Sequence, residues 1–222
     1  MTTLGNKTSF DPNPQANLTT ITAGDHGSAT AEVIESSLYG FLAQSWRWDS
    51  PPTFGSLVTV ESKKRTIFGI VQQIQTGSSD SQRQAFAYQK THEELLREQP
   101  QIFELLKTSF SCLTLGYQQK GRITYQLAPE PPLIHSFVGP ASPELARQFF
   151  AHEGYLHLLF GQAGQVGNLD ELLLAIMVQH KQLGILSPER INKIMQIFSV
   201  LTANDYRRLK LFLQRLEPLC SP

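Results

Sequence analysis

Residues 55–71 have the sequence GSLVTVESKKRTIFGIV, in which β-branched and aromatic residues stand on both sides of a charged segment. Such residues favour extended strands, whereas Glu61–Arg65 is polar enough to form a turn at the surface. The two flanking segments therefore predict a β-hairpin. Gly69 would leave room for a neighbouring strand where the sheet curls. The inward-facing residues are expected to be Leu57, Val60, Ile67, Ile70 or Val71, and Ile74.

Further strand-like segments lie on either side of this hairpin. Val33–Ser45 is long enough for two short strands or for one strand bent at Gly40. Ser111–Tyr117 and Arg122–Leu127 predict a second strand pair. Residues 128–143 contain five prolines, which argue against a central strand and predict an extended edge or linker that leaves the sheet.

The order and character of these segments resemble a known barrel family. Val33–Phe41, Pro51–Val60 and Thr66–Val71, closed by Pro129–Val138, are similar to the small HAS barrel that precedes the motor domain of HerA-type DNA translocases and the α and β subunits of rotary ATP synthases. The resemblance extends over about residues 31–142. It implies a stand-alone β-barrel protein, of a kind associated with cyanobacteria, whose barrel contacts other subunits or docks accessory proteins.

The motor that follows the barrel in those families has no counterpart in this sequence. A phosphate-binding loop would have the pattern G-x-x-x-x-G-K-S/T, which does not occur here. The chain becomes helical where the motor would begin. The resemblance therefore carries over no catalytic residue, and we expect a non-enzymatic protein without a cofactor or a metal ion.

The sequence after residue 142 has the capping pattern of consecutive helices. Ser142 and Ser187 are each followed by a proline and a glutamate, which is typical of a helix start. Asn168 and Thr202 are further candidate caps, each with an acidic residue three positions later. Apolar residues recur at three- and four-residue spacing between these caps. The predicted helices span about residues 143–160, 168–183, 188–200 and 203–216.

Together these elements predict an α+β protein in three parts. Residues 1–30 are rich in small polar residues without an apolar period, so we expect a disordered tail. Residues 31–142 form the small β-barrel, and residues 143–222 form a helical bundle. The barrel carries a helical insertion, with one helix predicted at Thr91–Glu98 and a second at Gln101–Thr108.

Composition sets the expected class and compartment. The 222 residues are 41% hydrophobic, which is enough for a core, and a formal net charge of zero excludes a global attraction to nucleic acid or anionic membranes. The two cysteines, Cys112 and Cys220, cannot form a disulfide framework, which indicates a reducing compartment. Without a signal-like N-terminus or a run of about 18 apolar residues, the chain is expected to be soluble and cytoplasmic, with no membrane insertion.

Two segments are candidates for partner contact. In the insertion, Phe86, Tyr88 and Lys90 combine aromatic and polar character, and aromatic rings are costly to expose without a purpose, although a solvated loop has the same composition. Near the end of the chain, residues 181–222 carry seven Lys or Arg against three Asp or Glu. A basic helix face there fits nucleic-acid phosphates or an acidic protein surface, although an ordinary solvated helix face has the same pattern. The basic residues of this last predicted helix are Arg207, Arg208, Lys210 and Arg215.

Other motifs indicate no chemistry. His152 and His157 are five residues apart, so a helix would turn their side chains about 140° away from each other. The glycine-rich segment 161–167 precedes a predicted helix but lacks the lysine and hydroxyl of a phosphate loop. Trp46 and Trp48 are expected to share one side of a strand and to pack on the barrel rather than to stack on bases.

The first functional hypothesis is a non-enzymatic adaptor or assembly module. Its barrel would dock on a larger complex, with an ATPase or a second copy of the chain as candidate partners, and its helices would engage a second partner. The alternative is a nucleic-acid accessory protein that uses the basic last helix together with the barrel.

Overall fold

The computed structural model describes residues 28–80 and 86–220. Residues 1–27, which include most of the predicted tail, and residues 81–85 lie outside the described part. The strands are β1 (Ala31–Ser36), β2 (Gly40–Ser45), β3 (Leu57–Ser62), β4 (Arg65–Ser78), β5 (Leu106–Gln119), β6 (Arg122–Thr124) and β7 (Phe137–Pro140). The helices are α1 (His92–Glu98), α2 (Gln101–Glu104), α3 (Pro143–Phe150), α4 (Tyr155–Gly161), α5 (Leu169–Gln182), α6 (Pro188–Leu201) and α7 (Tyr206–Cys220), with a short 3-10 turn at Ala163–Gln165.

Six strands close into a barrel. Antiparallel pairs run in the order β1, β2, β5, β4, β3 and β7, and β7 returns to β1. The short strand β6 pairs with β5 beyond the ring. The predicted hairpin is confirmed as β3 and β4, and the segment 33–45 forms two strands rather than one bent strand. Closure leaves no free strand edge within the six-stranded ring.

The closing strand lies in the proline-rich segment. β7 pairs with β1, where Val138 is opposite Ala31, and with β3, where Val138 is opposite Val60. The prediction of an edge or linker is therefore wrong for this part of residues 128–143. Three of the prolines precede the strand, and Pro143 follows it as the first residue of α3. Pro140 stands at the last position of the strand, where a missing N–H interrupts little of the ladder.

Strand alternation divides the apolar residues between two cores. Val60 and Val71 point into the barrel, whereas Leu57 and Ile70 point out of it and pack against the helices. The predicted inward set is therefore confirmed for Val60, Val71 and Ile74 and wrong for Leu57, because strands that are covered on both faces bury both sets of side chains. The barrel interior consists of Ala31, Val33, Phe41, Ala43, Val58, Val60, Val71, Phe110, Cys112 and Val138, with Ile74 partly buried against it.

Gly69 has the predicted role in this interior. A Cβ at Gly69 would lie 2.7 Å from the ring of Phe41 and 3.1 Å from the Cβ of Cys112. The strands therefore approach each other closely only because this position has no side chain.

The predicted helix caps are confirmed in three cases and wrong in one. The hydroxyls of Ser142 and Ser187 and the amide oxygen of Asn168 accept N–H bonds from the first turns of α3, α6 and α5. The Thr202 hydroxyl instead donates to the Phe198 carbonyl and lies at the end of α6. The carboxylate of Asp205 accepts the N–H of Arg208 and so caps the start of α7.

The helix predicted over 143–160 is two helices, α3 and α4. Arg190 of α6 donates to the carbonyls of Phe150 and Ala151, so the end of α3 is satisfied without further helix. Gly154 lies against Tyr125, where a Cβ would be 2.6 Å from the ring. A contact with a distant element therefore sets this break.

The predicted insertion is confirmed in its first helix and shorter in its second. The Thr91 hydroxyl and the Glu94 carboxylate form a capping box at the start of α1. Helix α2 ends at Glu104 because the chain from Leu106 onward pairs with β4, where Leu106 is opposite Ser78. Of the helices that the structure describes, none combines the length and apolar character needed to cross a bilayer.

Candidate functional site

The first predicted surface lies next to the helical insertion. Phe86 is 68% exposed, and its ring lies 4.3 Å from the half-buried ring of Tyr88, measured between centroids. Lys90 donates to the Glu98 carboxylate of α1, and this hydrogen bond raises the pKa of Lys90. The structure thus places an exposed aromatic pair and an ion-paired lysine close together in sequence, beside residues 81–85, which it does not describe.

The second predicted surface, on α7, is divided. The Arg208 guanidinium donates to the Asp170 carboxylate, with Nη2 2.7 Å and Nε 3.1 Å from Oδ1, and this hydrogen bonding raises the pKa of Arg208. The Arg215 Nη2 donates to the Glu171 Oε1 at 2.5 Å. Asp170 and Glu171 belong to the first turn of α5. Two of the four predicted cations therefore hold α7 against α5 and do not form an open basic face.

Arg207 and Lys210 have a different environment. Both side chains are exposed, and neither forms an ion pair within residues 28–80 and 86–220. They lie three positions apart on α7 and share a face of the helix. These two residues are the part of the predicted basic surface that a partner could contact.

Substitution of Asp170 tests the structural role of Arg208. Asp170→Asn should lower the free energy of unfolding by about 1 kcal/mol, because the ion pair is partly buried and the carboxylate also stabilises the α5 N-terminus. Denaturant unfolding of this variant, Arg208→Gln and the double variant should give a coupling energy of about 0.5 to 1 kcal/mol. Additive losses would contradict a direct pair.

A third surface was not predicted. It is a strip of large apolar side chains on the outside of the barrel, each 39–48% exposed. Phe137 of β7 lies opposite Glu32 of β1, and the Trp46 ring meets the Phe137 ring edge-on at 5.4 Å. We call this surface the barrel strip and define it as Ile34, Trp46, Leu133, Ile134 and Phe137.

The barrel strip was missed for two reasons. Residues 133–137 belong to the segment that was expected to be a linker, although the His135 N–H donates to the Val33 carbonyl on β1. The two tryptophans were expected on one side of a strand, but β2 ends at Ser45 and both lie in the bend that follows. Trp46 therefore joins the strip, whereas Trp48 stacks on Phe103 of α2 with centroids 5.5 Å apart.

Comparison with known families bears on the barrel alone. Residues 30–120 match the family model of the HAS barrel domain. The barrel is a HAS barrel. The resemblance noted in the sequence is thereby confirmed, as is the α+β arrangement of a barrel followed by helices. A search of curated proteins gave no match.

The HAS barrel is joined to the helical part by one continuous apolar core. Outward side chains of β3, β4 and β5 pack against α3 to α7, and the Gln162 amide at the end of α4 donates to the Thr114 carbonyl on β5 at 3.1 Å. The barrel side of this core consists of Leu57, Phe68, Ile70, Leu113 and Leu115, and its largest helical members are Phe149, Phe150, Tyr155 and Phe198.

The HAS barrel is in general a non-catalytic fold, and the remaining motifs have structural positions here. His152 lies between α3 and α4 and His157 lies on α4, both exposed. The segment after Gly161 forms a 3-10 turn and leads to Asn168, whose side chain accepts the N–H groups of Asp170 and Glu171. Across the described residues, no group of three or more His, Cys, Asp and Glu side chains could hold a metal ion.

Proposed function

We propose that this protein is a non-enzymatic adaptor or assembly module of the cytoplasm. Its HAS barrel docks on a larger complex through the barrel strip, and its helices engage a second partner. The observation that carries the proposal is the strip itself, in which five large apolar side chains share one part of the barrel surface and remain 39–48% exposed. Contiguous exposed apolar surface of this kind is typical of interaction sites.

The barrel also limits how a partner can bind. Each strand of the closed ring already pairs with two neighbours, so an additional strand cannot join the ring. Docking on the ring must therefore use side chains, and large apolar side chains such as Trp46 and Phe137 are those that contribute most to interfaces. Following the resemblance to HerA and ATP-synthase barrels, an ATPase or a second copy of this chain is the candidate partner.

The helices offer a separate surface for the second partner. Val200 and Tyr206 are 72% and 74% exposed, and Leu211 is 54% exposed beside Arg207 and Lys210. Apolar side chains next to cations fit a partner that presents both apolar and acidic residues. The alternative of nucleic-acid binding through α7 is less well supported, because Arg208 and Arg215 are engaged with α5.

Charge substitutions in the strip test the docking role. Ile134→Glu with Phe137→Glu should weaken partner binding or self-association at least 100-fold, because two charges would be buried in an apolar interface. The matched control is Val200→Glu with Leu211→Glu, which alters exposed apolar residues of the helices. Light scattering after size exclusion measures self-association, and affinity capture of the full chain at low salt measures partner binding.

The outcomes separate the two surfaces. The strip variant should lose the oligomer or the partner bound through the barrel, and the control should keep it. A wild-type chain that stays monomeric and captures no specific protein would contradict the adaptor proposal, as would equal capture by both variants and the wild type.

A further inference from the structure

Two hairpin turns at one end of the barrel bring cations together. The β3–β4 turn contains Lys63 and Lys64 and is followed by Arg65, and the β5–β6 turn contains Lys120 and is followed by Arg122. The turns are neighbours because β4 pairs with β5 at this end, with Thr66 opposite Gln118. We call these five residues the cationic end.

Little of this charge is neutralised internally. Lys63 pairs with Glu130, and Glu61 accepts a hydrogen bond from the Thr66 hydroxyl. Of the remaining four cations, Arg65 is half-buried, whereas Lys64, Lys120 and Arg122 are exposed and form no ion pair in the part of the chain that the structure describes. Five cations against these two carboxylates leave a charge of about +3 on two short turns, in a chain whose formal net charge is zero.

The positive charges of the cationic end act on the nearby Glu130 carboxylate. The pKa of Glu130 is lowered, first by the hydrogen bond from Lys63 and then by the charge of Lys63, with a smaller contribution from Arg65. An acid at this place therefore stays ionised more readily than an ordinary glutamate. The same field would favour the anionic groups of a ligand.

A cleft lies within the cationic end. Its volume is about 400 Å³, and one wall is the Tyr117 ring, with the Arg65 guanidinium 5.9 Å from the ring centroid. The Arg65 Nε is buried and has no hydrogen-bond partner among the described residues. The lining residues are Tyr117, Gln119, Lys120, Arg122 and Thr124.

This lining distinguishes between classes of anionic partner. The cleft offers positive charge, an amide, a hydroxyl and one aromatic ring, but no aliphatic side chain. A folded acidic protein needs an apolar centre in its interface, which this surface does not supply. Repeated phosphates need only closely spaced cations and hydrogen-bond donors, and an aromatic ring beside them can contact a base.

We propose that the cationic end binds the phosphate backbone of a nucleic-acid strand. Lys64, Lys120 and Arg122 neutralise successive phosphates, and Gln119 and Thr124 provide hydrogen bonds within the cleft. This surface shares no residue with the barrel strip. Nucleic-acid binding can therefore hold or fail independently of the adaptor role.

The test is fluorescence anisotropy of a labelled single-stranded 15-nucleotide thymidine oligomer titrated with the full chain. Neutralisation of three phosphates by Lys64, Lys120 and Arg122 would give a slope of about −2 in log affinity against log salt, which is about 20-fold between 50 and 200 mM salt. Lys64→Glu with Arg122→Glu should weaken binding at least tenfold at 50 mM salt and make the slope shallower by about 1.4. Lys63 is left unchanged because it forms an ion pair with Glu130.

The matched control is Arg207→Glu with Lys210→Glu, the same charge change on α7, which should bind as the wild type does. Circular dichroism and thermal unfolding establish whether both variants are folded. If the charge-reversed barrel variant does not fold, Lys64→Gln with Arg122→Gln takes its place and should weaken binding severalfold. Loss of binding in the α7 variant alone would overturn the proposal. So would equal affinity for a poly-glutamate peptide, or an absence of binding at 50 mM salt.

Discussion

Gly55→Ala is expected to lower the free energy of unfolding by about 3 kcal/mol. Gly55 has a φ of +77°, where a residue with a Cβ is disfavoured by about 1 to 2 kcal/mol. Its Cβ would also meet Ala175 of α5, lying 3.1 Å from the carbonyl carbon and 3.2 Å from the Cα. These are backbone atoms of a packed helix, so the clash cannot be relieved by a side-chain rotation, and overpacking adds about 1 to 3 kcal/mol.

Urea unfolding measures this effect, with Gly164→Ala as the matched control. Gly164 has no heavy atom within 4 Å of its added Cβ and no positive φ, so its substitution should change stability by less than about 0.5 kcal/mol. Ala175→Gly should recover part of the Gly55→Ala loss, measured against Ala175→Gly alone, because the Cβ–Cβ contact is removed. Equal stability of Gly55→Ala and Gly164→Ala would show that the barrel does not rest on α5 at this position.

The contact at Gly55 shows what a sequence does not convey. The hairpin around Glu61–Arg65, the capping box at Thr91 and the caps at Ser142 and Ser187 were predictable, because each depends on residues within a few positions of one another. The fit between Gly55 and Ala175 depends on residues 120 positions apart. Nothing local marks such a pair.

The errors in the predicted fold have the same origin. Residues 143–160 have an uninterrupted helical pattern, and the break between α3 and α4 depends on Arg190, which arrives from α6. Val138 lies in a segment whose prolines argue against a strand, yet it pairs on both sides because the barrel needs a sixth strand there. Local propensity is overridden wherever tertiary pairing satisfies the backbone.

The candidate surfaces were predictable only in part. The basic residues of α7 were visible in the sequence, but pairing of Arg208 with Asp170 could not be inferred from residues 38 positions apart. The cationic end is the opposite case. Neither of its two turns stands out in the sequence, and the β4–β5 register brings the two turns together into one surface. The positions of basic residues in a sequence therefore identify a basic surface reliably only after the tertiary pairing of the elements is known.

Acidification is expected to destabilise the protein strongly through His180. This residue lies on α5 and has no exposed surface, and the Phe150 ring packs edge-on against it at 4.5 Å between centroids. Neither ring nitrogen has a hydrogen-bond partner within the described residues. Burial, followed by the charge of Arg190, lowers the pKa of His180 from 6.5 to about 3.

The lowered pKa determines the direction of the pH dependence. Between pH 6.5 and about 3 the unfolded chain binds a proton at this histidine and the folded chain does not. The free energy of unfolding therefore falls as the pH decreases through this range, by about 1.4 kcal/mol per pH unit. At pH 4 the loss due to His180 alone should reach about 3 kcal/mol, a large fraction of the stability of an ordinary domain.

Urea unfolding at pH 7 and pH 4 isolates this contribution when the wild type is compared with His180→Leu and His157→Leu. Leucine fills a similar volume without a titratable group, and His157 is the matched control because it is exposed on α4. The wild type and His157→Leu should each lose about 3 kcal/mol more than His180→Leu between the two pH values. The wild type and His180→Leu share every other titratable group, so an identical pH dependence of these two proteins would mean that His180 is hydrated or hydrogen-bonded in solution.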